Sequence, residues 1–201
     1  MTKTDVSIRE MWKEASVEHC RYATLGRLGL DPRLARLFAC AVGRIGPVRI
    51  LPGVEEAAIE LTEKVAEGDL PESALVANQE RLKYPGNRYI SLNPFVAAAD
   101  AAHMKWAVSH GSQAYEVDSQ ARILAALVGE GMSFDPSWRS SHAVACAKGI
   151  YDYRDWRFTP ILADALEDAG CNDEAVLSYL RGDGPFFRGC YVLDMVLGKR
   201  H

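Results

Sequence analysis

The residues best suited to chemistry by type and spacing are His142 and Cys146. Four positions apart on a predicted helix, they share one face, and an imidazole with a thiolate makes half of a tetrahedral zinc site. Cys171 and Cys190 are the candidates for the other two ligands. An amphipathic helix with a buried thiol and a peripheral imidazole explains the same spacing more simply, so no metal and no other cofactor is favoured. Cys171 follows a helix-ending glycine and precedes the next predicted helix, a position that can lower a thiol pKa. Asp173 and Glu174 lie beside it and oppose a thiolate. Both Cys171 and Cys190 are therefore read as small buried hydrophobes.

The remaining titratable clusters have plain readings. His103 and His110 are two helical turns apart with Asp100 nearby, and are taken as surface histidines. Asp164, Glu167 and Asp168 fall at i, i+3 and i+4, the wet face of an amphipathic helix rather than a general acid and base. Asp194 is different. It stands inside the apolar run YVLDMVL, where an unpaired charge is costly. A salt bridge that fixes the C-terminal segment is expected, with Arg188 or Arg154 as its cation. Trp156, Phe158, Phe186, Phe187 and Arg188 lie in connecting segments, and aromatics with arginine are the usual contact anchors of interfaces. No G-x-S-x-G, P-loop, G-x-G-x-x-G or H-E-x-x-H string occurs, so no catalytic residue is named.

Helices must position these groups. Ser7-Ile8-Arg9-Glu10 has the spacing of a capping box. Asp31-Pro32, Asn93-Pro94, Asp135-Pro136 and Thr159-Pro160 each place a capping side chain before a proline, which suits a first helical position because it has no N–H to leave unbonded. Gly46, Gly68, Gly111, Gly129, Gly170 and Gly182 supply stops. Apolar stripes at helical spacing include Leu34, Leu37, Phe38, Ala41 and Ile45, and Val54, Ala57, Ala58, Leu61 and Val65 with Glu56, Glu60, Glu63 and Lys64 facing out. Residues 21–30 read as a connection, residues 84–92 (YPGNRYISL) as an exposed loop, and Cys190 to Leu197 as a helix in preference to a strand. The expectation is an all-α, compact array of roughly eight to ten short helices without a substantial sheet. A single domain over 1–201 is the simpler division; lobes at 1–83 and 93–201 sharing a core are the other.

Hydrophobic residues make up 48% of the 201-residue chain and charged residues 25%, enough for a sizeable core. The formal charge of −4 lacks the basic surplus of a nucleic-acid binder, so nucleic acid is not the expected partner. Arg33, Arg36 and Arg44 form at most a local basic face, read here as a solvated one. The polar N-terminal stretch has no apolar leader segment, and no apolar run approaches the roughly 20 residues of a membrane span. Five cysteines without a C-x-x-C pair are read as free thiols of a cytoplasmic protein.

The segment Leu34-Ala35-Arg36-Leu37-Phe38-Ala39-Cys40 resembles the R-L-F-A-C stretch of a large paralogous family of planctomycete bacteria. Residues 57–68, with Glu72 and Leu75, are similar to the acid-rich helices that follow it there. Asp135-Pro136-x-Trp138, Ile150-Tyr151-Asp152, residues 160–171 (PILADALEDAGC) and residues 184–198 resemble the family's closing motifs, ending in R-G-C-x-x-x-D-x-x-L-G. The likeness covers 31–83 and 135–199, whereas 84–130 departs from it and Val42-Gly43 replaces a second cysteine. That family has no assigned activity, so the resemblance implies kinship and not chemistry. The sequence reading is a protein-interaction or scaffold module that uses the loops after Tyr153 and Gly182. Its alternative is an enzyme or sensor built on a thiol or a His/Cys metal site near His142, Cys146 and Cys171.

Overall fold

The computed structural model describes residues 7–17, 21–45, 52–78, 93–108 and 113–200. Among them are eleven α-helices, two short 3-10 turns and no strand, so the fold is all-α. The helices group into two compact units, residues 1–125 and 126–201.

The first unit is built on α3 (Pro32–Ile45), which packs most extensively on α6 (Pro94–Val108) and then on α4 (Pro52–Ala66). Asp31 caps α3 as its spacing requires, accepting a 2.7 Å hydrogen bond from the Leu34 N–H. Ala97, Ala98, Ala101 and Ala102 are all buried on α6, and their small side chains let α3 come close. The capping box closes at the start of α1 (Ile8–Val17): Ser7 N–H donates to Glu10 Oε2 and Glu10 N–H to Ser7 Oγ. Trp12 of α1 is fully buried edge-on against Phe38, with its indole N–H given to Gln120. Gln120 lies on α7 (Gln113–Val128) and passes its own amide protons to Glu116 and to the Ala102 carbonyl.

Several expectations for this unit are corrected. Residues 21–27 are a helix, α2 (Arg21–Arg27), not a connection; Arg21, Thr24 and Leu25 give it one buried side. Ile45, placed on the apolar stripe of α3, is exposed. The inward stripe of α4 is Glu55, Ala58, Ile59, Thr62, Glu63 and Val65, while Ala57 is exposed. Glu63 turns inward because α3 brings it a cation: Arg44 Nε and Nη2 donate to its two oxygens at 2.9 and 3.0 Å, and Arg44 also holds Glu56. Arg33 binds Glu67 at 3.0 Å and Arg36, only 2% exposed, binds Glu72 at 3.0 Å. The three arginines are a ladder of ion pairs along α3, not a solvated or basic face. A short helix, α5 (Ser73–Asn78), buries Leu75. The 84–92 loop, Cys20 and His110 lie outside the described residues.

In the second unit α8 (Ser141–Tyr153) packs on α9 (Thr159–Asp168) and on α11 (Tyr191–Leu197), and α9 packs on α10 (Glu174–Arg181). Asp135-Pro136 opens only a 3-10 turn, Pro136–Trp138, with Asp135 accepting from Ser137 N–H. The following helix starts at Ser141, capped by Ser140, whose Oγ accepts from Ala143 N–H. Thr159 is the first residue of α9 rather than its cap; its hydroxyl donates back to the Trp156 carbonyl. Asp173 caps α10 through Val176 N–H. The Cys190–Leu197 segment is helical, and Gly198, at φ +67°, ends it. The Tyr191 ring packs against Gly129, whose φ is +74°; a Cβ there would sit 2.7 Å from Tyr191 Cδ2 and nearer still to Cγ.

Candidate functional site

Two sets of side chains in the second unit matter most: the groups around Asp194, and a corner between α8 and α9.

Asp194 is 0% exposed on α11, and its carboxylate is held in a buried ion pair. Arg200 Nε donates to Oδ2 at 3.0 Å, and the Tyr151 hydroxyl lies 3.5 Å from Oδ1. Arg188 instead donates to the carbonyls of Tyr151 and Asp152, at 3.3 and 3.4 Å, with its guanidinium 5.5 Å from the Tyr151 ring centre. Those carbonyls belong to the last turn of α8, which has no further N–H to offer them, so a cation satisfies both their lone pairs and the helix dipole. Lys199 Nζ sits 4.5 Å from the same ring centre and the Arg200 guanidinium 5.8 Å from that of Tyr191. Two buried or half-buried rings are thus flanked by three cations, with one carboxylate beneath them. This is the arrangement of a lock that fastens the segment after α11 to α8.

Neighbouring thiols are set against nucleophilic use. Cys190 is fully buried, and burial, reinforced by the charge of Asp194, pushes its pKa up to about 11. Burial also raises Cys171 and Cys146; at Cys171 a hydrogen bond from the Asp173 backbone works against it, while the charges of Asp173 and Glu167 add to the rise. His142 is exposed on α8 while Cys146 is half-buried one turn along. Among the described residues no three His, Cys, Asp or Glu side chains gather as metal ligands would. His103 lies on α6, with its side chain outside the described set. Asp164 and Glu167 keep to the wet face of α9, where Arg181 of α10 binds both, at 2.8 and 2.6 Å.

The expected contact residues divide. Phe187 is 4% exposed and belongs to the core, and Phe186 stands edge-on to Tyr179 at 5.2 Å, half-buried. Gly184 and Gly189, both at positive φ, bracket this segment, and Phe187 is buried between them. What remains outside is one corner. The last residue of α8, Tyr153, is 84% exposed, and Phe158 is 46% exposed at the end of the 3-10 turn Trp156–Phe158. Ile161 in the first turn of α9 is also exposed, and Trp156 is half-buried among them. Arg154, at φ +54°, turns the chain out of α8 and aims this segment. The sequence named Trp156 and Phe158 but missed Tyr153 and Ile161, since helical residues next to a loop look like ordinary stripe positions.

No helix among the described residues is long and apolar enough to cross a membrane. Comparison with protein-family models, curated proteins and solved structures gave no match.

Proposed function

We propose that this chain is a cytoplasmic protein-interaction module, kin to the planctomycete family it resembles, and that it docks a partner protein through the Tyr153–Ile161 corner. The observation that carries this reading is the exposure of three large apolar side chains and part of a fourth within nine consecutive residues. Single exposed hydrophobics are ordinary, whereas several left exposed along one short stretch of chain suit a contact site. Both flanks of the turn are firm. Arg188 holds the end of α8, and buried Thr159 anchors the start of α9. A preformed aromatic anchor loses little conformational entropy on binding.

The test is capture of an identified partner from cells that make this protein, followed by binding measurements with the purified pair. Tyr153→Ser with Phe158→Ser should weaken that binding at least about a hundredfold while leaving helix content unchanged. Undiminished binding by the double variant refutes the assignment of the surface. The thiol or His/Cys reading gains no support from the raised thiol pKa values or from the separation in exposure of His142 and Cys146.

A further inference from the structure

The groups around Asp194 have the parts of a receptor for a guanidinium. At the base is a carboxylate that is 0% exposed, one oxygen of which accepts from Arg200 Nε at 3.0 Å. The other oxygen lies 3.5 Å from the Tyr151 hydroxyl. The Gly189 carbonyl accepts from Arg200 Nη2, and the Tyr191 ring centre is 5.8 Å from the guanidinium carbon. A charged acceptor, a neutral acceptor and an aromatic face suit a planar guanidinium better than a compact ammonium. These parts are held by contacts that do not involve the segment after α11. The helix packs on α8, Tyr191 packs against Gly129, and Arg139 Nε donates to the Val196 carbonyl near the end of α11.

Arg200 itself comes from outside these elements. It stands two positions beyond Gly198, the residue that ends α11. Its side chain keeps 14% of its surface in solvent, while the carboxylate keeps none. Lys199 between them is exposed, with Nζ 4.5 Å from the Tyr151 ring centre. Rotation beyond Gly198 can therefore withdraw Arg200 without unpacking α11. We infer that Asp194, the Gly189 carbonyl and the Tyr191 ring form a guanidinium-binding site, which Arg200 fills as a tethered occupant and which an arginine side chain of a partner protein can fill in its place. A bare buried carboxylate is costly, so the site passes from one guanidinium to the other rather than standing empty. A short tether gives the internal group an effective concentration on the order of millimolar, so a free guanidinium competes only at that level or above. A partner that adds contacts of its own competes at less. None of these residues belongs to the Tyr153–Ile161 corner, so the site stands or falls apart from that surface.

The test uses the full chain. In the wild-type protein the Nε–H signal of Arg200 is followed by proton–nitrogen correlation spectra and assigned by its loss in Arg200→Lys. Nα-acetyl-arginine amide at about 50 mM should displace at least about half of that signal, and Nα-acetyl-lysine amide at the same ionic strength should leave it in place. In Arg200→Ala, about 10 mM ethylguanidinium should raise the melting temperature by about 3 °C or more, and ethylammonium should not. Asp194→Asn combined with Arg200→Ala should show no such rise. An Arg200 signal that persists in the arginine compound overturns the exchange and leaves a fixed ion pair, even where ethylguanidinium restores the variant. Equal effects of the arginine and lysine compounds overturn the ligand class. A rise that survives Asp194→Asn, or no rise in folded Arg200→Ala, overturns the site. Should Arg200→Ala fail to fold, the wild-type titration decides alone.

Discussion

Removing either member of the Asp194–Arg200 pair should loosen the second unit, and by unequal amounts. The carboxylate is fully buried, whereas the Arg200 side chain keeps 14% of its surface in solvent. In Arg200→Met, Asp194 loses the guanidinium at 3.0 Å and cannot reach water without unpacking α11. Breaking a buried pair from one side costs about 3–5 kcal/mol, and this variant belongs near the middle of that range. In Asp194→Ala, the freed guanidinium can swing outward, so the cost should be about 2–3 kcal/mol, part of it from the lost contact with Tyr151. Asp194→Leu combined with Arg200→Met removes both charges and should cost less than the two single changes added together. Urea unfolding of the full chain, followed by circular dichroism and by near-ultraviolet signals, measures all four proteins. Losses below about 1 kcal/mol in both single variants would refute the reasoning, because they would mean that the carboxylate is not held as a buried ion.

Gly129→Ala should destabilise by about 3 kcal/mol or more, since it places a methyl group against the Tyr191 ring at a backbone φ of +74°; urea midpoints report it. Arg44→Met should cost about 2–3 kcal/mol by leaving buried Glu63 without that guanidinium, with the loss read in the unfolding of residues 1–125 by hydrogen exchange. Stability should also fall at alkaline pH. The folded pKa of Cys190 is raised from 9.0 to about 11, so the folded state keeps its proton longer than the unfolded chain. That contribution is whole below about pH 9 and is lost as pH rises towards 11. Buried Tyr179, also raised, acts in the same direction at higher pH. A pH series of unfolding midpoints should show this slope, and Cys190→Ala should flatten its first part.

Local signals were the most legible part of the sequence. Ser7 with Glu10, Asp31 and Asn93 cap helices as their spacing predicts, because a cap is decided within four residues. Asp135 caps too, but the chain makes only a 3-10 turn there, with Trp138 edge-on to Phe134, before Ser140 caps the helix that follows. The register of α4 failed for a different reason. Charged residues count as outward in a hydrophobic pattern, yet Glu63 is drawn in by Arg44 from another helix. Asp194 was correctly singled out as buried and paired. Its partner Arg200 was missed because a segment beyond the helix folds back over Tyr151 and Tyr191, and no local pattern encodes that return. The contact surface was half legible for the same reason: Phe187 looks exposed in a loop until the turn at Gly184 and Gly189 is known.

The docking surface can be touched directly. A photo-crosslinking amino acid at position 153, the most exposed aromatic of the corner, should form one dominant adduct with an identified partner in cells. The same group at Tyr22, an exposed aromatic of the first unit, should not form that adduct, and Phe158→Ser should abolish it at 153. Adducts that are equal at both positions, or that persist in Phe158→Ser, would contradict a partner seated on the Tyr153–Ile161 corner.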